Sequence, residues 1–280
     1  MSAYNQVLLK NLPSTMASVG CPVRQVTLDD LVLLVNGSAA AVNLSAVRAV
    51  VFANAFVVTE VQAAAVDALR TPARTLVWIG APGLLDSVSA PEPKLGRVGA
   101  LTGLPLVLGW PSAVPAVTKL LWPPALVNTL FGVPQASVSP WFTLRGEDPR
   151  YQVLGTLAQP PANETKSPPA TLVRGPGTNQ HTAVFSANPG LPAALWRAVL
   201  NDAGVHLYTT APGDVVEVAG NYLLVHAGPS LDPQPRTISL PMAVDQVVDM
   251  DTGATVCRRC QTFATPPGLH PGQNLLYQLN

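Results

Sequence analysis

The residues most able to do chemistry are few and scattered. Cys257-Arg-Arg-Cys260 has the spacing of half a zinc site or of a redox pair. A structural zinc needs four ligands, and only Cys21 and dispersed histidines remain to supply them. A redox pair normally opens a helix, whereas this one falls on a predicted strand, where residues three apart point to opposite faces. The motif therefore reads as an edge strand with two incidental thiols. His181, His206, His226 and His270 show no His-x-x-x-His spacing and stand near no nucleophile. His206 and His226 sit in apolar strands, where packing or hydrogen bonding explains them. Glycoside hydrolysis needs two partnered carboxylates. Glu60 suits the first turn of a helix, Asp86, Glu92, Glu147 and Asp148 lie in loops, and nothing pairs any two of them. The glycine-rich phosphate loops are absent, so nucleotide binding is not indicated. Trp110, Trp122 and Trp141 lie in one proline-rich stretch. They would suit either a sugar-stacking surface or ordinary packing, and packing is favoured. Three triplets fit Asn-x-Ser/Thr, at Asn36, Asn43 and Asn163, and they bear on glycosylation only in a secreted chain.

Two strand–helix–strand units must position whatever chemistry there is. Ala49–Ala55 is a Val-rich apolar run, as in a parallel strand buried on both faces. Thr59 and Gln62 form a capping-box pattern that opens a helix, with Val61, Ala65 and Leu69 on its apolar stripe, Gln62 and Arg70 outward, and Pro72 as its stop. Thr75–Ile79 is the next strand, paired in parallel with the first. The order repeats with a strand at Ala183–Ser186, a helix opened by Pro189 and Pro192 and closed at Gly204, and a strand at His206–Tyr208. Residues 4–19 read as a helix broken by Pro13, Val23–Leu28 as a short strand, and Asp29–Leu34 as a helical turn. Residues 84–143 read as one strand at Leu104–Leu108 and a long irregular excursion. Tyr151–Leu157 and Thr171–Arg174 read as a strand pair. After Gly213 the pattern becomes short strands at regular spacing, which predicts an antiparallel sheet or small sandwich. The chain is accordingly divided near residue 212, into an α/β domain over 1–212 and an antiparallel β-domain over 213–280.

Composition narrows the partners. Hydrophobic residues make up 48% and charged residues 11% of 280, with 16 basic against 16 acidic. That balance gives no footprint for nucleic acid and none for an anionic membrane surface. The most apolar stretch, Leu101–Leu121, is interrupted by Pro105, Pro111 and Pro115, so no membrane span is expected. The N-terminus lacks the pattern of a signal peptide, and the compartment stays open.

The two units and the sheet after them resemble one known module. The carrying segments are VVFANAFVVTEVQAAAVDAL, TLVWIGAPGLL, ALTGLPL, DPRYQVLGTLA, AVFSANPGLPAALWRAVLNDAGVHLYT and the tail GDVVEVAGNYLLVHAG…ISLP…VVDMDTGATV. In this order they resemble the trimerisation domain and C-terminal β-domain of family 42 β-galactosidase-type glycoside hydrolases. The resemblance implies a flavodoxin-like, class I glutamine amidotransferase-like α/β fold: a mostly parallel sheet with helices on both faces, then a small antiparallel β-domain. It also implies a first sheet strand ahead of a helix like residues 4–19, and no such strand is evident. Amidotransferases of this fold carry a Cys at a strand-to-helix elbow. The matching turns, Phe52-Ala53-Asn54 and Ile79-Gly80-Ala81, carry none, and the family's catalytic barrel is not in this chain. The expected role is a non-catalytic assembly or carbohydrate-associated module, without cofactor or metal, that associates with a protein partner or with copies of itself. By fold analogy a ligand crevice would lie at Asn54, Gly80 and Trp110. The competing readings are a piece of an active glycoside hydrolase whose barrel lies elsewhere, and a scaffold subunit of a larger complex.

Overall fold

The computed structural model describes residues 6–38, 43–86, 92–109, 114–138, 140–146, 148–158, 169–229 and 235–280. Contacts group them into two compact units, Met1–Leu12 with Val26–Leu191, and Pro13–Gln25 with Pro192–Asn280. A π-helical turn at Val7–Asn11 leads into helix α1 (Leu12–Ala17), as the sequence suggests for this stretch.

In the first unit, helix α2 (Leu28–Val35) begins at a capping box in which the Thr27 side chain accepts from Asp30 N and the Asp30 carboxylate accepts from Thr27 N. Residues 22–27 ahead of it are exposed coil. The strand expected at Val23–Leu28 does not form, because its last residues are spent on that cap. Strand β1 (Ala49–Phe52), helix α3 (Glu60–Ala68) and strand β2 (Thr75–Ile79) follow, with the Thr59–Gln62 capping box in place. The stripe of α3 is rotated from expectation. Ala65, Val66 and Leu69 are buried, but Val61 is 64% exposed. Arg70 turns inward instead of outward, because helix α4 (Leu95–Thr102) ends with carbonyls in need of donors. Arg70 Nη2 donates to Leu101 O at 2.6 Å and to Ala100 O at 3.1 Å.

The excursion expected over 84–143 is regular structure for much of its length. Strand β3 (Leu106–Leu108) pairs with β6 (Phe142–Leu144), and β4 (Val114–Leu120) forms a hairpin with β5 (Leu130–Val138). Strands β7 (Gln152–Leu157) and β8 (Ala170–Pro176) pair antiparallel as expected, and β9 (Thr182–Ser186) follows. The main sheet has the order β1-β2-β9-β8-β7-β4-β5. Pairing is parallel across β1-β2-β9 and antiparallel across the rest. Followed along these pairings, only β8 and β4 run against the other five strands. The sheet is thus mostly of one direction, as expected, with antiparallel ladders from β9 outward through β8, β7, β4 and β5.

The first unit's core shows why the parallel half forms. Every residue of β2 is buried. Alternate residues Phe52, Leu76, Trp78, Ala183 and Phe185 share one cluster with Leu31 of α2, Val66 and Leu69 of α3, and Val98 and Leu101 of α4. Phe52 stacks on Trp78 with centroids 4.0 Å apart. These three helices therefore cover one face of the sheet.

The second unit contains helix α5 (Ala193–Asp202) and one antiparallel sheet of β10 (Val215–Ala219), β11 (Tyr222–His226), β12 (Thr237–Asp249), β13 (Thr255–Ala264) and β14 (Asn274–Leu279), in the order β10-β11-β14-β12-β13. Two strands expected at Thr237–Leu240 and Gln246–Met250 are one long strand with register shifts. His206–Tyr208 is not a strand. His206 Nε2 instead lies 2.7 Å from Ser239 O. Helix α5 belongs to the same compact unit as this sheet, which takes in Pro192–Asn280. Arg197 of α5 donates to Val19 O at 2.7 Å and to Thr209 O at 2.6 Å, while Tyr208 N donates to Gly20 O. Asp214 and Arg236 form a buried ion pair beside them, with Nε 3.0 Å from Oδ1.

Candidate functional site

The sheet's parallel half determines where a site would be. Its strands end at three turns, Ala53–Ala55, Gly80–Gly83 and Ala187–Gly190, and none of them contains Ser, Cys or His. Asn54 and Gly80 each lie two residues past the registered pair Phe52 and Trp78, so the structure places them at the same end of neighbouring strands. Asn54 is exposed and Gly80 buried. Trp110 lies outside the described residues.

Backbone hydrogen bonds link these turns. Gly80, at φ +78°, donates its N–H to Ser186 O at 2.8 Å. Gly83 N donates to Ala55 O, Leu85 N to Phe56 O at 2.9 Å and Val58 N to Leu85 O at 3.1 Å, which extends the β1–β2 pairing beyond the strand ends. The third turn is folded on itself. Ser186 Oγ donates to Asn188 O at 2.7 Å, Gly190 N donates to Asn188 Oδ1, and Asn188 Nδ2 reaches Phe131 O at 3.3 Å. The N–H groups of Gly80, Gly83, Leu85 and Val58 are thus satisfied by neighbouring strands and turns.

A charged cluster rims these turns, and sequence reading missed it. Glu60 opens α3, Asp86 follows the bridge between Val57 and Leu85, and Lys94 and Arg97 begin α4. Arg97 Nη2 lies 3.1 Å from Glu60 Oε1, and Lys94 pairs with Asp86. Two carboxylates are thus brought to one rim, each held by a cation. The hydrogen bond from Lys94 holds the Asp86 carboxyl below the usual carboxylate range. A general acid for glycoside cleavage needs the opposite shift. The detectable signal was Lys94 and Arg97 one helical turn apart at a helix start.

The other sequence candidates are dispersed. His181 is fully buried before β9, at the opposite end of the strand from the turns. Its Nδ1 faces Thr178 O, and burial, reinforced by Arg70, pushes its pKa down. Gly177 lies against the ring, where a Cβ would collide with the imidazole. Trp141 is a core residue, 4% exposed, and Trp122 packs under Arg174 at 5.1 Å, so these two form no common sugar platform. Cys257 and Cys260 are not two free thiols but a disulfide on edge strand β13, where Arg259 at φ +48° breaks the alternation that would have separated them. Cys21 is a buried free thiol with its pKa pushed up to about 11 by burial. No group of three or more metal-ligating side chains gathers among the described residues. No helix among them is long and apolar enough to cross a membrane.

No protein-family model and no curated protein matches the chain. Solved structures do. A catalytic mutant of Gan42B, a GH42 β-galactosidase from G. stearothermophilus, matches 100% of this chain and 37% of its own, at 12% identity and TM-score 0.60. The polyextremophilic β-galactosidase from the Antarctic haloarchaeon Halorubrum lacusprofundi matches 99% of this chain and 35% of its own, at 12% identity and TM-score 0.57. The cold-adapted β-galactosidase from Rahnella sp. R3 matches 99% and 37%, at 11% identity and TM-score 0.55. The chain has the fold of part of these proteins and spans little more than a third of their length.

Proposed function

We propose that this chain is a non-catalytic module of glycoside-hydrolase descent that serves assembly or carbohydrate association. The carrying observation is the coverage: the whole chain follows part of a GH42 β-galactosidase, and that part is 37% of the larger protein. The turns without Ser, Cys or His and the cation-held carboxylates on their rim support a role other than turnover. In the finer form of the reading, residues 1–212 are an amidotransferase-like trimerisation domain and 213–280 a β-domain. Asn54 and Gly80 mark the face that would meet a sugar or a partner. The reading is tested by the mass of the purified chain in solution, by light scattering, together with hydrolysis of a nitrophenyl β-galactoside. A stable oligomer without turnover is the expected result. Robust turnover, or a clean monomer that binds neither sugar nor partner, overturns it.

The same coverage supports a second reading, that the chain is part of an active glycoside hydrolase whose barrel is encoded with it. An in-frame barrel in the transcript containing this sequence decides for that reading.

A further inference from the structure

Of the three Asn-x-Ser/Thr triplets, the one at Asn163 lies outside the described residues. The other two, Asn36-Gly37-Ser38 and Asn43-Leu44-Ser45, belong to the connection between α2 and β1, and both asparagines are exposed. Their local geometry differs. Asn36 ends α2, with its backbone N–H directed to Val32 O and Leu34 O. Asn43 folds over its own triplet: Oδ1 accepts from Ser45 N at 3.1 Å and from Ser45 Oγ at 2.7 Å. The acceptor amide and the hydroxyl two residues on are thereby held side by side. These bonds span three residues, so the arrangement needs no tertiary fold and is available to a chain still being made. Asn43 Nδ2 has no hydrogen-bond partner among the described residues.

Asn43 remains exposed in the folded chain. Arg74 donates to Leu44 O at 2.7 Å and to Val47 O at 3.2 Å, and Thr75 N donates to Arg48 O. The loop is pinned where the parallel strands begin, at the opposite end from Asn54 and Gly80. An independent observation points to the compartment. Cys257 and Cys260 are oxidised on an edge strand while only half-buried, and accessible pairs of this kind persist in oxidising compartments.

We propose that Asn43 is an N-glycosylation acceptor. In the transfer, Nδ2 bonds to the anomeric carbon of a lipid-pyrophosphate-linked oligosaccharide. The bond from that carbon to the pyrophosphate oxygen breaks, the lipid pyrophosphate leaves with the electron pair, and a base of the transferase takes the amide proton. Asn36, with no bond to Ser38 among the described residues, is the internal comparison. The test expresses the full chain behind a secretory leader in eukaryotic cells. Peptide mass spectrometry follows, after glycan release by an N-glycosidase in oxygen-18 water, which converts an occupied Asn to labelled Asp. Asn43 is expected to be occupied in most chains, with occupancy lost in Ser45→Ala and kept in Ser45→Thr. Where a variant is not exported, the intracellular fraction is read in the same way, because transfer precedes export. An unmodified Asn43 in the oxidised, secreted chain overturns the proposal. So does occupancy that survives Ser45→Ala, or an Asn36 occupied in preference to Asn43.

Discussion

Asp214→Ala should loosen the C-terminal sheet while leaving the first unit's protection unchanged. Asp214 is fully buried and Arg236 is 4% exposed. The carboxylate accepts from Arg236 Nε at 3.0 and 3.1 Å, from Gly228 N at 2.8 Å and from Thr209 Oγ1 at 3.1 Å. Truncation leaves a guanidinium and an amide in a dry site without their acceptor. Breaking a buried pair from one side costs about 3–5 kcal/mol. At about 1.4 kcal/mol per decade, the lower figure corresponds to roughly 100-fold faster opening. Hydrogen exchange read by mass spectrometry on peptides from β10, β11 and β14 measures this directly, with peptides from β2 and β9 as the internal control. Asp214→Ala combined with Arg236→Met should cost less than the sum of the single changes, because the second removes the charge that the first strands. An acceleration of less than about fivefold in the Asp214→Ala sheet would refute the assignment of the pair as a buried structural anchor.

Two further outcomes follow from particular groups. Closing a loop as short as Cys257–Cys260 removes little chain entropy, about 2 kcal/mol on the loop-length relation. Cys257→Ser with Cys260→Ser should therefore leave the chain folded and lower the stability of the second unit by no more than that amount in urea titration. Loss of the fold would show that the bridge does more than staple an edge. His181 is held neutral by burial, so its folded pKa lies below the ordinary 6.5. The unfolded chain then takes up the proton first as pH falls below 6.5, and the first unit should lose stability on acidification through that point. Denaturant midpoints at pH 7.5 and 5.5 should differ, and His181→Phe, if it folds, should flatten that part of the difference. A midpoint that is independent of pH in the wild-type chain would contradict the buried neutral imidazole.

The elements legible in the sequence are those whose signal is local. Leu76–Ile79 is an unbroken apolar run, and the strand Thr75–Ile79 is buried along its length. Thr59 and Gln62 announce a helix start three residues apart, and their bonds form at 2.9 and 3.3 Å. The β4–β5 hairpin was not legible, because its prolines read as breakers. The register jumps between Pro115 and Ala116, from Ser137 to Val133, and this leaves Pro134 in the excess chain of an edge strand. Pro134 therefore falls where the ladder needs no donor. The rim cluster was illegible for a different reason. Glu60 and Arg97 are far apart in sequence, and only the packing of α3 and α4 against the parallel half brings them together. The thiols of Cys257 and Cys260 were misread because strict alternation was assumed across a residue that takes a positive φ. At the turns, the missing nucleophile was plain from residue types, whereas the hydrogen bonds that link them depend on register and could not be read from the chain.

Strand β9 also sets a timetable. Thr75 of β2 pairs with Thr182 of β9, so about 100 residues of intervening chain must be looped out before that ladder can form. The hairpins β4–β5 and β7–β8 close much smaller loops and can assemble as soon as they are synthesised. A ribosome making this chain therefore releases β1 and β2 long before their partner exists. Until β9 arrives to seat beside it, a strand that is buried along its whole length in the folded chain waits with one ladder unmade, and during that interval chaperone capture and aggregation compete with folding.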